Sequence, residues 1–111
     1  MANQLPNGAS AVIPMEKLVN YCLNPDHSSG KHKARVFAAV LGIMVDNAED
    51  LRQLIARAAI EGEVVQQDAT VFGQLYKVDW GIIDRDGVVL RTLWEVRTGQ
   101  TSPRLVSAFL K

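Results

Sequence analysis

The chain has 111 residues and carries 12 Lys and Arg against 12 Asp and Glu, so its formal net charge is zero. That length supports a single core without disulfides or metal, and the balanced charge argues against the strong whole-protein field of a typical DNA binder. No apolar run reaches membrane-spanning length, and the lone Cys22 cannot form an intrachain disulfide, which fits a reducing, cytoplasmic setting.

Residues 1–12 are rich in Asn, Gly, Ser and Pro and are expected as a flexible N-terminal tail, followed by one α+β domain over 13–111. They do not read as a secretion signal. Pro14 suits the first position of a helix, and Met15, Leu18, Val19, Cys22 and Leu23 fall on one side of it at about 100° per residue. Asn24-Pro25 ends that helix. A second helix is expected from Ser28 or Ser29 as cap, with a stripe of Ala34, Phe37, Ala38 and Leu41 widened by Val36 and Val40. Gly42 reads as its left-handed stop. Asp46 with Glu49 predicts a capping box for a third helix, whose stripe is Leu51, Leu54, Ile55, Ala58 and Ala59 and which Gly62 ends.

From Glu63 the period changes to two. Val64-Val65 and Thr70-Val71-Phe72 are short β-prone pieces broken by Gly73. Leu75 to Ile83 alternates Tyr76, Val78, Trp80 and Ile82 against Lys77 and Asp79. Asp86-Gly87 is a hairpin signal, Val88 to Arg97 is the next strand, Gly99 to Pro103 a looser turn, and Leu105 to Leu110 the last strand. Helices first and strands afterwards predict two to three N-terminal helices on one face of a curved, about four-stranded antiparallel sheet.

The stretch from Asp26 to Gly42 holds both histidines and a local cationic cluster. Lys33 lies inside the apolar arc of the second helix, between Val40 and Phe37. One reading is a stem that snorkels along apolar surface; the other is an ammonium held at the sheet edge to meet an anion. His27 precedes the helix, whose positive end favours the neutral ring that can act as a base; the plainer role is a hydrogen bond within the turn. Lys31, Lys33 and Arg35, with no acid between Asp26 and Asp46, form an anion-attracting helix start. Lys77, Arg91, Arg97 and Arg104 could join them in one groove if the helix start abuts the strands, although Asp79 and Glu95 dilute the charge. Tyr76, Trp80 and Trp94 are expected in the core rather than as a stacking platform.

Cys22, His27 and His32 are spaced by five, which suits neither a helical metal pair nor a CxxC site. No metal or other cofactor is implied. Ser29-Gly30-Lys31 lacks the rest of a phosphate-loop pattern and any preceding strand.

The run His27-x-x-Gly30-x-x-Lys33-Ala34-x-x-Phe37, then Leu41-Gly42, continues with Phe72-Gly73-x-x-Tyr76-x-Val78. After it come Trp94-x-Val96-Arg97-x-Gly99 and Pro103-Arg104-Leu105-Val106. This series resembles a family of small bacterial domains of unknown function (domain of unknown function 6883), and the likeness spans nearly everything after Ile13. Ser28 stands where that family usually has proline. The resemblance implies bacterial origin and brings no established activity. A more distant similarity, two helices followed by a curved four-stranded sheet, is to small toxin ribonucleases that work without metal. By that analogy His27 is acid or base, Lys33 and Arg97 stabilise charge, and Tyr76 or Thr92 orients the substrate.

The expected function is therefore a cytoplasmic accessory or protein-interaction module with a basic anion site formed by Lys31, Lys33, Arg35 and Arg104. The alternative is a metal-independent, toxin-like ribonuclease using His27, Lys33, Tyr76 and Arg97. Candidate partners are a second copy, through the strand face with Val89 and Leu93, RNA or a small anion, and a small cognate protein, but no membrane.

Overall fold

Pro14, extended at φ −66° and ψ 128°, leads into helix α1, Met15–Lys17, which runs on through a π-helical turn, Leu18–Cys22. In this computed structural model, which describes residues 3–111, Leu18, Cys22 and Leu23 are buried as the spacing predicts. Helix α2, Lys31–Leu41, starts later than expected, and neither serine caps it. Gly30 stands at the N-cap, and His27 ties the turn before it: its Nδ1 accepts the N–H groups of Ser29 and Gly30, each at 3.0 Å. Gly42, at φ 67°, closes the helix in the left-handed region. Ala34 and Phe37 are buried, whereas Val36 and Val40 stay 40% exposed. The stripe is narrower than expected because α2 lies against the last strand and the π turn rather than over the sheet.

A single 3₁₀ turn, Val45–Asn47, precedes helix α3, Ala48–Glu61. Asn47, not Asp46, shapes that entry. Its side-chain oxygen accepts the Met44 N–H at 2.7 Å and its amide donates to the Gly42 carbonyl at 3.2 Å. Glu49 pairs with Arg52 rather than closing a capping box. Leu51, Ile55, Ala58 and Ala59 turn inward, placing α3 across the middle of the sheet.

The strands are β1 (Glu63–Thr70), β2 (Gly73–Gly81), β3 (Val89–Arg97) and β4 (Arg104–Leu110), antiparallel in the order β1-β2-β3-β4. The α+β architecture, with helices N-terminal to a four-stranded antiparallel sheet, is as the sequence predicts. The first β-prone fragment runs on through the exposed, polar Gln66, Gln67 and Asp68 to Thr70 as one strand, and Val71-Phe72 of the second form the turn that follows. Gly73 opens β2 after the turn at Val71-Phe72. At φ 148° a Cβ on it would meet the Val96 carbonyl oxygen at 2.1 Å. Trp94, Phe37, Leu18, Leu51, Ile55, Leu90 and Leu105 fill the core. The Trp94 indole N–H donates to Thr92 Oγ1 at 2.7 Å, which satisfies it in the interior.

Residues 3–12 lie on the body rather than forming a loose tail; Met1 and Ala2 fall outside the described residues. Leu5 is buried, the Asn3 carbonyl accepts the Val64 N–H at 2.7 Å, and Val12 bridges Arg104 in parallel. Composition marks this segment as loose, but one apolar anchor and paired backbone groups hold it. Among the described residues, no helix is long and apolar enough to cross a membrane.

On the solvent side of the sheet, Asp79 accepts two bonds from Arg91, at 2.7 and 2.8 Å, with Lys111 at 3.5 Å. Arg91, and less strongly Lys111, hold the Asp79 carboxyl below its usual value. A depressed folded value stabilises the fold above the unfolded pKa of about 3.9 and loses that contribution as pH falls through the folded value. Asp79→Asn should therefore lower stability by about 1–2 kcal/mol at pH 7. The difference should shrink toward zero in melts well below pH 3.9.

Candidate functional site

Between α1 with its π turn and the adjoining ends of β3 and β4 runs an open groove of about 560 Å³. One wall is Glu16, Lys17, Asn20 and Tyr21, and the other is Glu95 and Arg97 from β3 with Arg104, Leu105 and Val106 from β4. His27 stands at the junction of the turn and the groove. Strand register sets Glu95 opposite Arg104, and Arg97 Nε lies 2.8 Å from Glu95 Oε1. Lys17 Nζ lies 5.7 Å from the Tyr21 ring centroid. Three cations thus face two carboxylates, a local surplus of one positive charge.

Tyr21 separates this groove from a second layer. The Lys33 ammonium donates to Tyr21 Oη at 2.7 Å and to Ser107 Oγ at 3.0 Å, and lies 4.9 and 5.1 Å from the Tyr21 and Phe109 ring centroids. None of the ion pairs among the described residues includes Lys33. Its half-buried charge rests on hydroxyls and ring faces alone. The bond from Lys33 holds the Tyr21 phenol below its ordinary pKa, against the opposing effect of burial. Burial pushes the neighbouring Cys22 thiol upward.

The His27 ring meets the Tyr21 ring edge-on, centroids 4.9 Å apart. Because Nδ1 accepts two backbone N–H groups, the hydrogen-bond pattern assigns the ring proton to Nε2. His27 therefore lines the groove as a donor and bonds the backbone of the turn, the plainer of the two roles expected from sequence. Gly30 makes the corner possible: a Cβ there would lie 2.3 Å from the Tyr21 carbonyl oxygen.

Of the residues singled out from sequence, His27, Arg97 and Arg104 share the groove, and Lys33 stands one layer behind it. Tyr76 lines a separate hollow of about 140 Å³ with Leu93 and Trp94. Arg35 lines a third hollow beside Leu23 and Met44, and Lys31 borders none of these three. Lys77 bonds to Gln66 and Arg91 to Asp79, so neither reaches Arg97's groove. Thr92 is fully buried against Trp94 and cannot touch a substrate. Of the expected catalytic set, His27 and Arg97 share the groove, Lys33 stands behind Tyr21, and Tyr76 lies apart, because the alternation that points it toward the core turns it from the groove.

Lys17 and Tyr21 were not anticipated, and Glu95 was expected only to dilute the charge. The available signal was a tyrosine four residues after a lysine, beside the polar Glu16, Lys17 and Asn20 of the first helix.

A family model described as Domain of unknown function (DUF6883) matches residues 4–111. No curated protein matches the chain, and no solved structure does.

Proposed function

The chain belongs to this family of domains of unknown function, and from that premise we propose that it is an accessory binding module that takes a phosphate-bearing ligand in the α1–β4 groove. The observation that carries this reading is the pairing of a cation-rich groove with the half-buried, carboxylate-free Lys33 ammonium behind Tyr21. An anion in the groove supplies the counter-charge that the fold does not provide. Lys17, Arg97 and Arg104 contact it, His27 Nε2–H adds a neutral donor, and Tyr21 relays the Lys33 charge. Lys31 and Arg35 raise the local potential from outside. The setting is cytoplasmic. Half-buried Val89 and Leu93 on the solvent side of the sheet are the contact offered to a second copy or a small protein partner.

The test is thermal unfolding with inorganic pyrophosphate. At about tenfold excess over Kd, stabilisation is about 1.4 kcal/mol, a rise in Tm of roughly 5 °C. The rise should vanish in Arg97→Ala, Arg104→Ala. An unmoved wild-type Tm would sink the reading.

A second reading, metal-independent RNA cleavage, draws support from the Tyr21 hydroxyl bonded to Lys33 beside His27. RNA left intact by wild-type protein with bound ligand removes it. Shortening that disappears in His27→Ala, Lys33→Ala sustains it.

A further inference from the structure

Beyond Arg104 the groove does not end. A second hollow of about 450 Å³ is walled by Val12, Arg104 and the loop Gly99-Gln100-Thr101-Ser102. Arg104 is common to both spaces. The second hollow is held in shape from outside the loop: Asn7 Nδ2 donates to the Thr101 carbonyl at 2.9 Å. The Val12 N–H donates to the Pro103 carbonyl at 2.8 Å, and the Gln100 N–H to that of Arg97 at 2.9 Å. Two adjoining hollows with one shared arginine suit a ligand that repeats its charge along a line.

We propose that the groove and this second hollow form one track for a single strand of RNA, gripped by its ribose–phosphate backbone rather than by its bases. The inference rests on the phosphate-binding reading and narrows it. Three features of the walls carry it. The cations come from opposite sides, Lys17 from α1 and Arg97 and Arg104 from the strands, so they flank a path instead of closing on one phosphate. The track offers no free aromatic platform. Tyr21 is its one aromatic ring besides His27, and Lys17 and Lys33 ammonium groups already lie 5.7 and 4.9 Å from its centroid. Bases therefore have nothing on which to stack. Lastly, Glu16 and Glu95 sit among the cations. A carboxylate repels phosphate but accepts a hydrogen bond from a ribose 2′-hydroxyl, a group that DNA and polyphosphate lack. Exposed Gln100 and Thr101 add polar groups to the second hollow.

The experiment is fluorescence anisotropy of the full chain with labelled ten-nucleotide strands of U, A and C, the matching DNA, and inorganic polyphosphate as competitor. The three RNAs should bind within about threefold of one another, since stacking discriminates little here, and DNA about fivefold more weakly. With three cations engaged, the log–log salt slope for a single strand should be about −2. The double variant Gln100→Glu, Thr101→Glu should weaken RNA about tenfold through like-charge repulsion, and pyrophosphate, which meets that hollow only at the shared Arg104, by less than about threefold. RNA that fails to bind while pyrophosphate still stabilises the fold would overturn the strand proposal and leave the small-anion site standing. So would a double variant that binds RNA normally, DNA that binds as well as RNA, or polyphosphate that competes as effectively. Absence of both RNA binding and pyrophosphate stabilisation would remove the parent reading as well.

Discussion

Gly30→Ala should lower stability by about 3 kcal/mol, combining overpacking of about 1–3 kcal/mol with weakened His27 hydrogen bonds in the turn of about 1 kcal/mol. Backbone strain is not the cause, since Gly30 sits at an ordinary φ of −97°. The cause is close approach: its added Cβ would fall 2.3 Å from the Tyr21 carbonyl oxygen and 3.1 Å from the Tyr21 ring. A main-chain carbonyl cannot swing away as a flexible side chain can. The turn from His27 to Gly30 must move, and it takes with it the His27 bonds that hold the chain just before α2. Tm should fall by more than about 10 °C, and phosphate stabilisation should be lost even where the variant remains folded. Gly42→Ala is the instructive contrast. Nothing lies within 4 Å of a Cβ there, but its φ of 67° disfavours a side chain, so a cost of only about 1 kcal/mol is expected. Similar melting of Gly30→Ala and wild type would show that the corner tolerates a wider approach.

What the sequence disclosed follows from how each feature is encoded. Leu51, Ile55, Ala58 and Ala59 repeat at helical spacing because α3 buries one face, and Val78 and Trp80 alternate because β2 does. Such periods are local and visible. The true extent of β1 was hidden because exposed strand needs no apolar pattern: Gln66, Gln67 and Asp68 look like a break. The start of α2 was placed early because Ser28 and Ser29 have the chemistry of caps, whereas Gly30 takes that position without a side-chain bond. The His27 ring bonds the backbone of the turn, the plainer role expected of it. Lys33's place within the apolar arc correctly marked a side chain at the edge of the core, but spacing could not name its partners. Tyr21 stands 12 residues before it and Ser107 74 after it. The groove itself is tertiary. Lys17 and Glu95 become neighbours only because β4 returns alongside β3 and carries α1 with it.

Lys33→Met should move the titration of Tyr21 upward and weaken phosphate binding about fivefold to tenfold, the direct consequence of removing a charge held behind the groove. The chain has only two tyrosines, Tyr21 and Tyr76, so a Tyr76→Phe background leaves one phenol to follow by absorbance. In the parent, the Lys33 bond keeps Tyr21 below its ordinary value near 10, with burial pulling the other way. Methionine keeps the apolar stem and removes the donor, leaving burial opposed mainly by the smaller effect of the Ser107 hydroxyl, so the phenol moves up. The sign for stability follows from the lowered folded value. Ionisation of Tyr21 favours the fold above the unfolded pKa of about 10, and this contribution disappears as pH falls through the folded value. At pH 7 the phenol is neutral, and the substitution costs only hydrogen bonds, about 1–2 kcal/mol. Melts of parent and variant should therefore diverge further between pH 8 and 10 than between pH 6 and 7. A Tyr21 midpoint that stays where it was would mean that the ammonium does not govern this hydroxyl. The groove would then have lost the charge that makes it selective for anions.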